Sequence, residues 1–456
     1  RVISGDGSVG AVDTRTGLAT AWDPRPNGGV LALGMSDHAI YVGGGFTSIG
    51  PEWVWRNGLA ALDLTTGRAT SWDPNPDEAY VLSLATRGNM VYVGGSFSRV
   101  GGEARANLAA FDARDGTLTP WNPAPSGGVN ALAVNGSTIY AGGQFTGIGG
   151  QPRRDLAAVD SVTGAASAWD PDPDDFIEAL ATDGNTVYAG GWFAHMKGLP
   201  RKTLAAIDAA SGVTRDWDAY GDGVVDAIAV KGDTIFVGGL FFSLGGQNRR
   251  DLASLDARTG LATEWHPVLG PGVGGDYSDV RALQLQGNTL YAGGDFGSVN
   301  GVTRNYLAAL DASTGALVED WNPNPDGFIW ALAMGPKTVY AGGGYERMNG
   351  VPVGSIAALK AVPTSTAPPP SGTLTAIPNP VYSSATLRFA LAGPAPVTLA
   401  VFDVQGRRLA TLLNRSPMAS GEHVVPLVTS GWPAGCYLAR LEADGVTMTR
   451  KLVVLR

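Results

Sequence analysis

Two carboxylates, Glu178 and Asp226, stand 48 residues apart at the same position of one short phrase, Ile177-Glu178-Ala179-Leu180 and Val225-Asp226-Ala227-Ile228. If the chain turns both into one cavity, they supply the minimum for glycoside chemistry, a proton donor and a second carboxylate. Asn130, Arg281 and Trp330 occupy that second position in three further copies, so the set mixes amide, acid, guanidinium and indole. Such a mixture suits recognition of a polar ligand, and a wet channel would tolerate it as well. No Ser/His/Asp set stands out, and His38, His195, His266 and His423 are too scattered to make a zinc site. No catalytic residue, metal or cofactor is therefore assigned.

What must position these residues is a repeat of about 48 residues. Its first element is the V-x-A-L phrase, and its second reads YVGGGF at Tyr41, YAGGQF at Tyr140 and YAGGDF at Tyr291. The third is Leu-Ala-Ala-x-Asp, as at Asp112 and Asp160, and the fourth is Trp-Asp-Pro or Trp-Asn-Pro, as at Trp72 and Trp121. Each element is short, β-favouring and bounded by Gly, Pro, Asn or Asp, so the unit predicts four strands in two hairpins. Repeated six to eight times, a four-stranded sheet of this period is the signature of a β-propeller. The double glycine is expected to let neighbouring blades approach, and the aromatic after it to fill the gap between them. Seven blades result if the two ends of the region share one sheet, and eight if they stay separate.

Features outside the strands divide into scaffold and candidate contacts. Arg56, Arg105, Arg153, Arg201, Arg249 and Arg304 precede the third element regularly, which suits pairing with an Asp between blades more than a ring for anions. The run Asp170-Pro171-Asp172-Pro173-Asp174-Asp175 lacks the glycine and glutamate of an EF-hand loop and reads as a solvated acidic loop. Two loops break the repeat: residues 266–280, with Tyr277, and Gly50 to Gly58, with Trp53 and Trp55. Exposed aromatics on a rigid face are what sugar rings stack on, although either loop could instead pack as a lid.

With these phrases in register, residues 1–361 resemble the delta-60 repeat family of bacterial β-propellers and, more distantly, kelch blades. The resemblance implies a fold and an exported setting, with no shared catalytic residues. Residues 362–372, VPTSTAPPPSG, read as an extended linker. Residues 373–456 then alternate apolar and polar over six strands, the pattern of a small β-sandwich. There Pro378-Asn379-Pro380, Val401-Phe402-Asp403-Val404-Gln405-Gly406-Arg407, Pro433-Ala434-Gly435-Cys436-Tyr437 and Lys451-Leu452-Val453-Val454 look like a type IX secretion (type A) sorting domain of FlgD-like immunoglobulin fold. That resemblance implies delivery through the outer membrane of a Gram-negative bacterium by the type IX machinery. Cys436, at a place where a small aliphatic residue is usual, is expected to pack as a small buried hydrophobe.

Composition agrees with an all-β reading. Of 456 residues 44% are hydrophobic, and Gly 65 with Pro 29 against Met 7 favours short strands and tight turns. A net charge of −9 argues against nucleic acid, and no apolar run is long enough to span a membrane. The expectation is an all-β chain, a propeller of seven or eight four-stranded blades followed by an immunoglobulin-like sandwich. It would sit outside the cell or on the outer-membrane surface and bind a glycan or protein there without catalysis. Two rivals stay open: a structural subunit of a surface layer or filament, which would self-associate, and a carbohydrate hydrolase or lyase.

Overall fold

The computed structural model describes residues 22, 24–77, 80–273, 275, 277–361, 374–377, 381, 384–391, 394–419, 421–443 and 446–454. The strands expected within the first 21 residues, the linker at 362–372 and the Pro-Asn-Pro phrase fall outside them. The chain divides into two compact units, Arg1–Val362 and Pro363–Arg456. Among the described residues every regular element is a strand, and no helix is long and apolar enough to cross a membrane.

In the first unit, each repeat folds as a sheet whose inner strand carries the V-x-A-L phrase. The inner strands are Val30–Met35, Tyr80–Arg87, Val129–Asn135, Ile177–Thr182, Val224–Lys231, Asp279–Gln286 and Phe328–Met334, which define blades 1 to 7. Each pairs antiparallel with the glycine-rich strand, which pairs in turn with the Leu-Ala-Ala-x-Asp strand. The fourth strand is short. In six blades it makes one bridge, such as Phe111↔Leu118 or Val159↔Ala166, before the chain runs on into the Trp-containing segment.

The blades form a closed cycle. Each inner strand packs against the inner strand of the next blade, and that of blade 7 packs against that of blade 1. The first glycine of each pair explains the closeness: a Cβ on Gly142 would collide with Ile177 of the next blade, one on Gly238 with Val280, and one on Gly342 with Val30. Tryptophans of the fourth element lock the same seams. Trp121 packs edge-on to Tyr92 at 5.2 Å, and its indole N–H donates to the Asp160 carbonyl of the next blade at 2.8 Å. Trp22 does the same across the closure, packing on Tyr340 of blade 7 and donating to Asp63 O of blade 1. Trp22 thus occupies the fourth-element place of blade 7. The Trp217 indole is the exception and has no acceptor.

The recurrent arginines have a different partner from the one their spacing suggests. Arg153 donates from Nη1 to Pro152 O at 2.6 Å and from Nη2 to Ser167 O at 2.6 Å, and Arg56, Arg105, Arg201, Arg249 and Arg304 repeat this pattern. Ion pairs are secondary, as at Arg56–Asp73, 3.3 Å, and Arg201–Asp216, 3.4 Å. A fourth strand with few ladder bonds leaves carbonyls that a forked donor can satisfy, and the guanidinium does so inside its own blade.

In the second unit, Leu374–Ile377, Ser384–Leu391 and Gly421–Val428 form one sheet, while Ala395–Asp403, Arg408–Met418, Gly435–Ala443 and Val446–Val454 form the other. Leu387 and Phe389 from the first sheet share one core with Val397, Leu399 and Leu441 from the second, which makes a sandwich. Cys436 corrects the sequence reading, because it is exposed. From Cys436 onward its strand alternates, and Tyr437 takes the buried position next to it, which turns Cys436 outward.

Candidate functional site

The variable second position of the inner strand is the site of a β-bulge in every blade. Register slips between Val129 and Ala131, Ile177 and Ala179, Val225 and Ala227, Val280 and Ala282, and Ile329 and Ala331. Asn130, Glu178, Asp226, Arg281 and Trp330 are therefore the extra, unpaired residues. A bulge frees its residue from the alternation of the ladder and re-aims its side chain. The second glycine of each pair makes room for it: a Cβ on Gly239 would collide with Val224 O, and one on Gly191 with Phe176 O. One glycine pair thus serves two needs, contact with the next blade and a bulge in its own.

Five of the seven bulged residues, Leu82, Glu178, Asp226, Arg281 and Trp330, line a cavity of about 230 Å³ within the ring of inner strands. Asn130 stands behind it, donating from Nδ2 to Glu178 Oε2 at 3.1 Å and to Ile177 O at 3.4 Å. Arg281 donates from Nε to Asp279 Oδ2 at 2.6 Å. Burial, with the negative charge of Asp279 beside it, pushes the Asp226 carboxyl up to about 7. Burial raises Glu178 and Asp279 too, opposed by the Arg281 charge in both and by the Asn130 amide at Glu178. Burial raises both Asp226 and Asp279, which face each other beside one guanidinium, so the pair favours holding a proton between them.

Asp279 and Asp295 belong to this cluster and were not among the residues singled out from sequence. Asp279 opens the inner strand of blade 6, and Asp295, directly across the ladder from it, fills the variable place of the Gly-Gly-x-Phe phrase. Burial raises Asp295, and the Asp279 charge adds to it. The signal was available, since the residues at that place are Gly45, Ser96, Gln144, Trp192, Leu240, Asp295 and Gly344, as irregular a series as the bulged one. Asp251, nearby in blade 5, is 3% exposed and accepts a hydrogen bond from Ser278 Oγ; burial raises it to about 6.

The other arc of the mouth is aromatic. Trp330 stacks parallel to Phe328 at 6.3 Å, and Phe328 meets Tyr306 edge-on at 5.7 Å. Trp330 lies over Gly29 and Gly344, where any side chain would strike its ring, and Tyr80 covers Gly45 in the same way. Tyr80, which opens the inner strand of blade 2, is more than half exposed, as is Trp192, which follows the second strand of blade 4 on the acidic side.

The three loop aromatics fall elsewhere. Trp53 and Trp55 are 64% and 67% exposed on the hairpin of Ser48–Ile49 and Val54–Trp55 in blade 1. Tyr277, 65% exposed, precedes blade 6, which does not adjoin blade 1. The structure therefore does not bring Tyr277 together with the two tryptophans. In the acidic run, Asp174 accepts the N–H groups of Ala194 and His195 and pairs with His195 Nδ1 at 2.7 Å, bracing a turn. Asp170 and Asp172 face Arg153 and Arg154.

A family model described as outer membrane protein assembly factor BamB matches residues 104–342, and a second, described as a secretion system C-terminal sorting domain, matches residues 375–455. Among solved structures, the computationally designed Ika8 protein is 14% identical, with 97% of this chain and 99% of that one covered at a TM-score of 0.43. The WD40 domain of Neurospora crassa Pan2 is 12% identical over 69% of this chain and 86% of that one, again at 0.43. Dimeric latent PorU from Porphyromonas gingivalis is 12% identical over 98% of this chain and 34% of that one, at 0.16. No curated protein matches the chain.

Proposed function

Because the chain belongs to the family described as outer membrane protein assembly factor BamB and ends in a secretion-system sorting domain, we propose that it is a surface-displayed propeller that binds a glycan or protein at its channel mouth. The sorting domain makes it a secreted protein of the type IX route. The finer readings, a delta-60 or kelch-like repeat and a FlgD-like immunoglobulin tail at the outer-membrane surface of a Gram-negative cell, rest on the sequence phrases. The observation that carries the binding role is the convergence of the bulged residues Glu178, Asp226, Arg281 and Trp330, with Leu82, on one cavity. Carboxylates and a guanidinium pair with hydroxyl and amide groups, while Trp330 and its stacked neighbour offer a flat apolar face, the two halves that a sugar ring needs. Glycan binding by the full chain, measured calorimetrically with hits from a glycan array, should weaken at least about tenfold in Trp330→Ala and in Asp226→Asn. Undiminished binding by both variants would remove the mouth from consideration, and a blank array would turn the search to protein partners.

One observation favours a second reading, a carbohydrate hydrolase. A carboxyl held protonated to about pH 7 close to a second carboxylate is the environment of a general acid in glycoside cleavage. Release of reducing ends from a polysaccharide panel, lost in Asp226→Asn, would establish it; silence across the panel leaves binding without turnover.

A further inference from the structure

The channel mouth carries more negative charge than it balances by itself. Glu178 and Asp226 line the cavity, Asp279 stands beside Asp226, and Asp295 lies directly across the ladder from Asp279. Arg281 is the cation that acts on all four, and its Nε is already committed to Asp279 Oδ2 at 2.6 Å. The other oxygen of Asp279, Oδ1, is buried and has no hydrogen-bond donor. Four carboxyls against one guanidinium call for a further positive charge, and a buried acceptor is unfavourable until a donor reaches it.

The cavity is sized for one side chain rather than a longer ligand. Its volume of about 230 Å³ lies below the roughly 300–1,000 Å³ typical of small-molecule sites. Two positions further along the inner strands, Leu132, Leu180 and Ile228, with their counterparts in the other blades, give it an apolar inner wall. Outward it opens to water, since the Arg281 side chain is half exposed. Around that opening stand exposed apolar side chains from four blades: Tyr80 in blade 2, Trp192 in blade 4, Leu240 in blade 5 and Phe328 in blade 7. A charged centre within an apolar rim is how an interface desolvates one charged side chain of a partner.

We infer that the mouth accepts the ammonium group of a lysine that a protein partner presents between apolar residues. This rests on the mouth as the binding site and narrows its ligand from glycan or protein to protein. An ammonium has three donors and no acceptor, which matches converging carboxylates, whereas a neutral sugar leaves their mutual repulsion in place. The lysine stem would lie along Trp330, and its apolar neighbours would cover the rim. Proton and ammonium compete for Asp226 and Asp279, so binding should tighten as pH rises through about 7. The charges acting on Asp226 are Asp279, Arg281 and Glu178; both carboxyls shift the affinity in the same direction, and the guanidinium does not titrate.

The test is isothermal titration calorimetry of the full chain at pH 6 and pH 8. The probes are the blocked tripeptide acetyl-Phe-Lys-Phe-amide, the same peptide with its lysine Nζ acetylated, and D-glucosamine. The lysine peptide should bind, more tightly at pH 8 than at pH 6, and that difference should shrink in Asp226→Asn. Acetylation of the amine, Glu178→Gln and Asp226→Asn should each weaken binding at pH 8 at least about tenfold. No binding of the lysine peptide, equal affinity for its acetylated form, unchanged affinity in both carboxyl variants, or tighter binding at pH 6 would each overturn the inference. Binding of D-glucosamine without the peptide would overturn the protein partner in favour of an amino sugar. After any of these results the mouth still stands as a binding site if glycan hits weaken in Trp330→Ala, so the two readings fail separately.

Discussion

The mouth of the propeller has two arcs built on one backbone device and furnished in opposite ways. In blades 4 to 6 the bulged residues are Glu178, Asp226 and Arg281, with Asp279 and Asp295 beside them. In blades 7, 1 and 2 they are Trp330, Leu31 and Leu82, with Phe328 and Tyr80 beside them. The backbone is the same in both arcs, a slip of one residue opposite a glycine pair. The difference teaches that the bulge uncouples side-chain choice from folding: the ladder and the seams between blades are satisfied by the residues on either side of it. A repeat that must stay uniform to close a ring can therefore vary freely at its inner rim.

The sharpest way to separate the arcs is pH, because only one of them titrates. Asp226 has a folded-state pKa of about 7, above the usual value of 3.8. The folded chain thus holds a proton that the unfolded chain has released, and stability falls as pH rises from about 4 to about 7, then levels off. The loss is on the order of a few kcal/mol. Asp226→Asn removes it, so denaturant unfolding should show a variant more stable than wild type at pH 8 and close to it at pH 4. Asp251 contributes a slope of the same sign that the variant keeps. Wild type and variant with parallel pH profiles would mean that the two carboxyls do not share a proton.

On the aromatic arc, Trp330→Ala should cost about 1–2 kcal/mol, since it exposes Phe328 and empties the space over Gly29 and Gly344. The cost should be the same at pH 4 and pH 8. A pH-dependent cost would show that the arcs are coupled. Arg281→Met should act in the opposite sense to Asp226→Asn, because the guanidinium lowers Asp226, Asp279 and Glu178 together. Its side chain is half exposed, so the loss at pH 8 should stay near 1 kcal/mol or below, and unfolding curves in low and high salt should converge.

The ring was legible because its physics is repeated: the glycines and tryptophans that join blades recur at a fixed period, and Trp22 showed by its phrase alone which element it supplies. The fourth strand was legible as an element but not as a short one, since nothing in its phrase marks that it makes a single bridge in six blades. The bulged residues stood out as the irregular members of a regular phrase. Asp279 and Asp295 did not, because the first sits at the end of an irregular loop and the second in a place that looks like turn variation. Only the cross-strand pairing brings them together. Burial of Cys436 was misjudged from residue type, where the parity of its strand decides.

The smallest test lies inside the acidic arc. Asn130 differs from its acidic neighbours in carrying no charge, yet its amide reaches Glu178 Oε2 at 3.1 Å and opposes the upward push of burial on that carboxyl. A neutral donor stabilises the ionised form more than the protonated one. Asn130→Ala should therefore raise Glu178 further and cost about 0.5–1 kcal/mol at pH 8, with less lost near pH 4, where Glu178 is protonated in both states. A double-mutant cycle with Glu178→Gln at the two pH values reads the coupling directly. Coupling present at pH 8 and diminished at pH 4 would place Asn130 in the arc as the residue that keeps Glu178 an anion. Zero coupling at both would return it to the scaffold with Leu31 and Leu82.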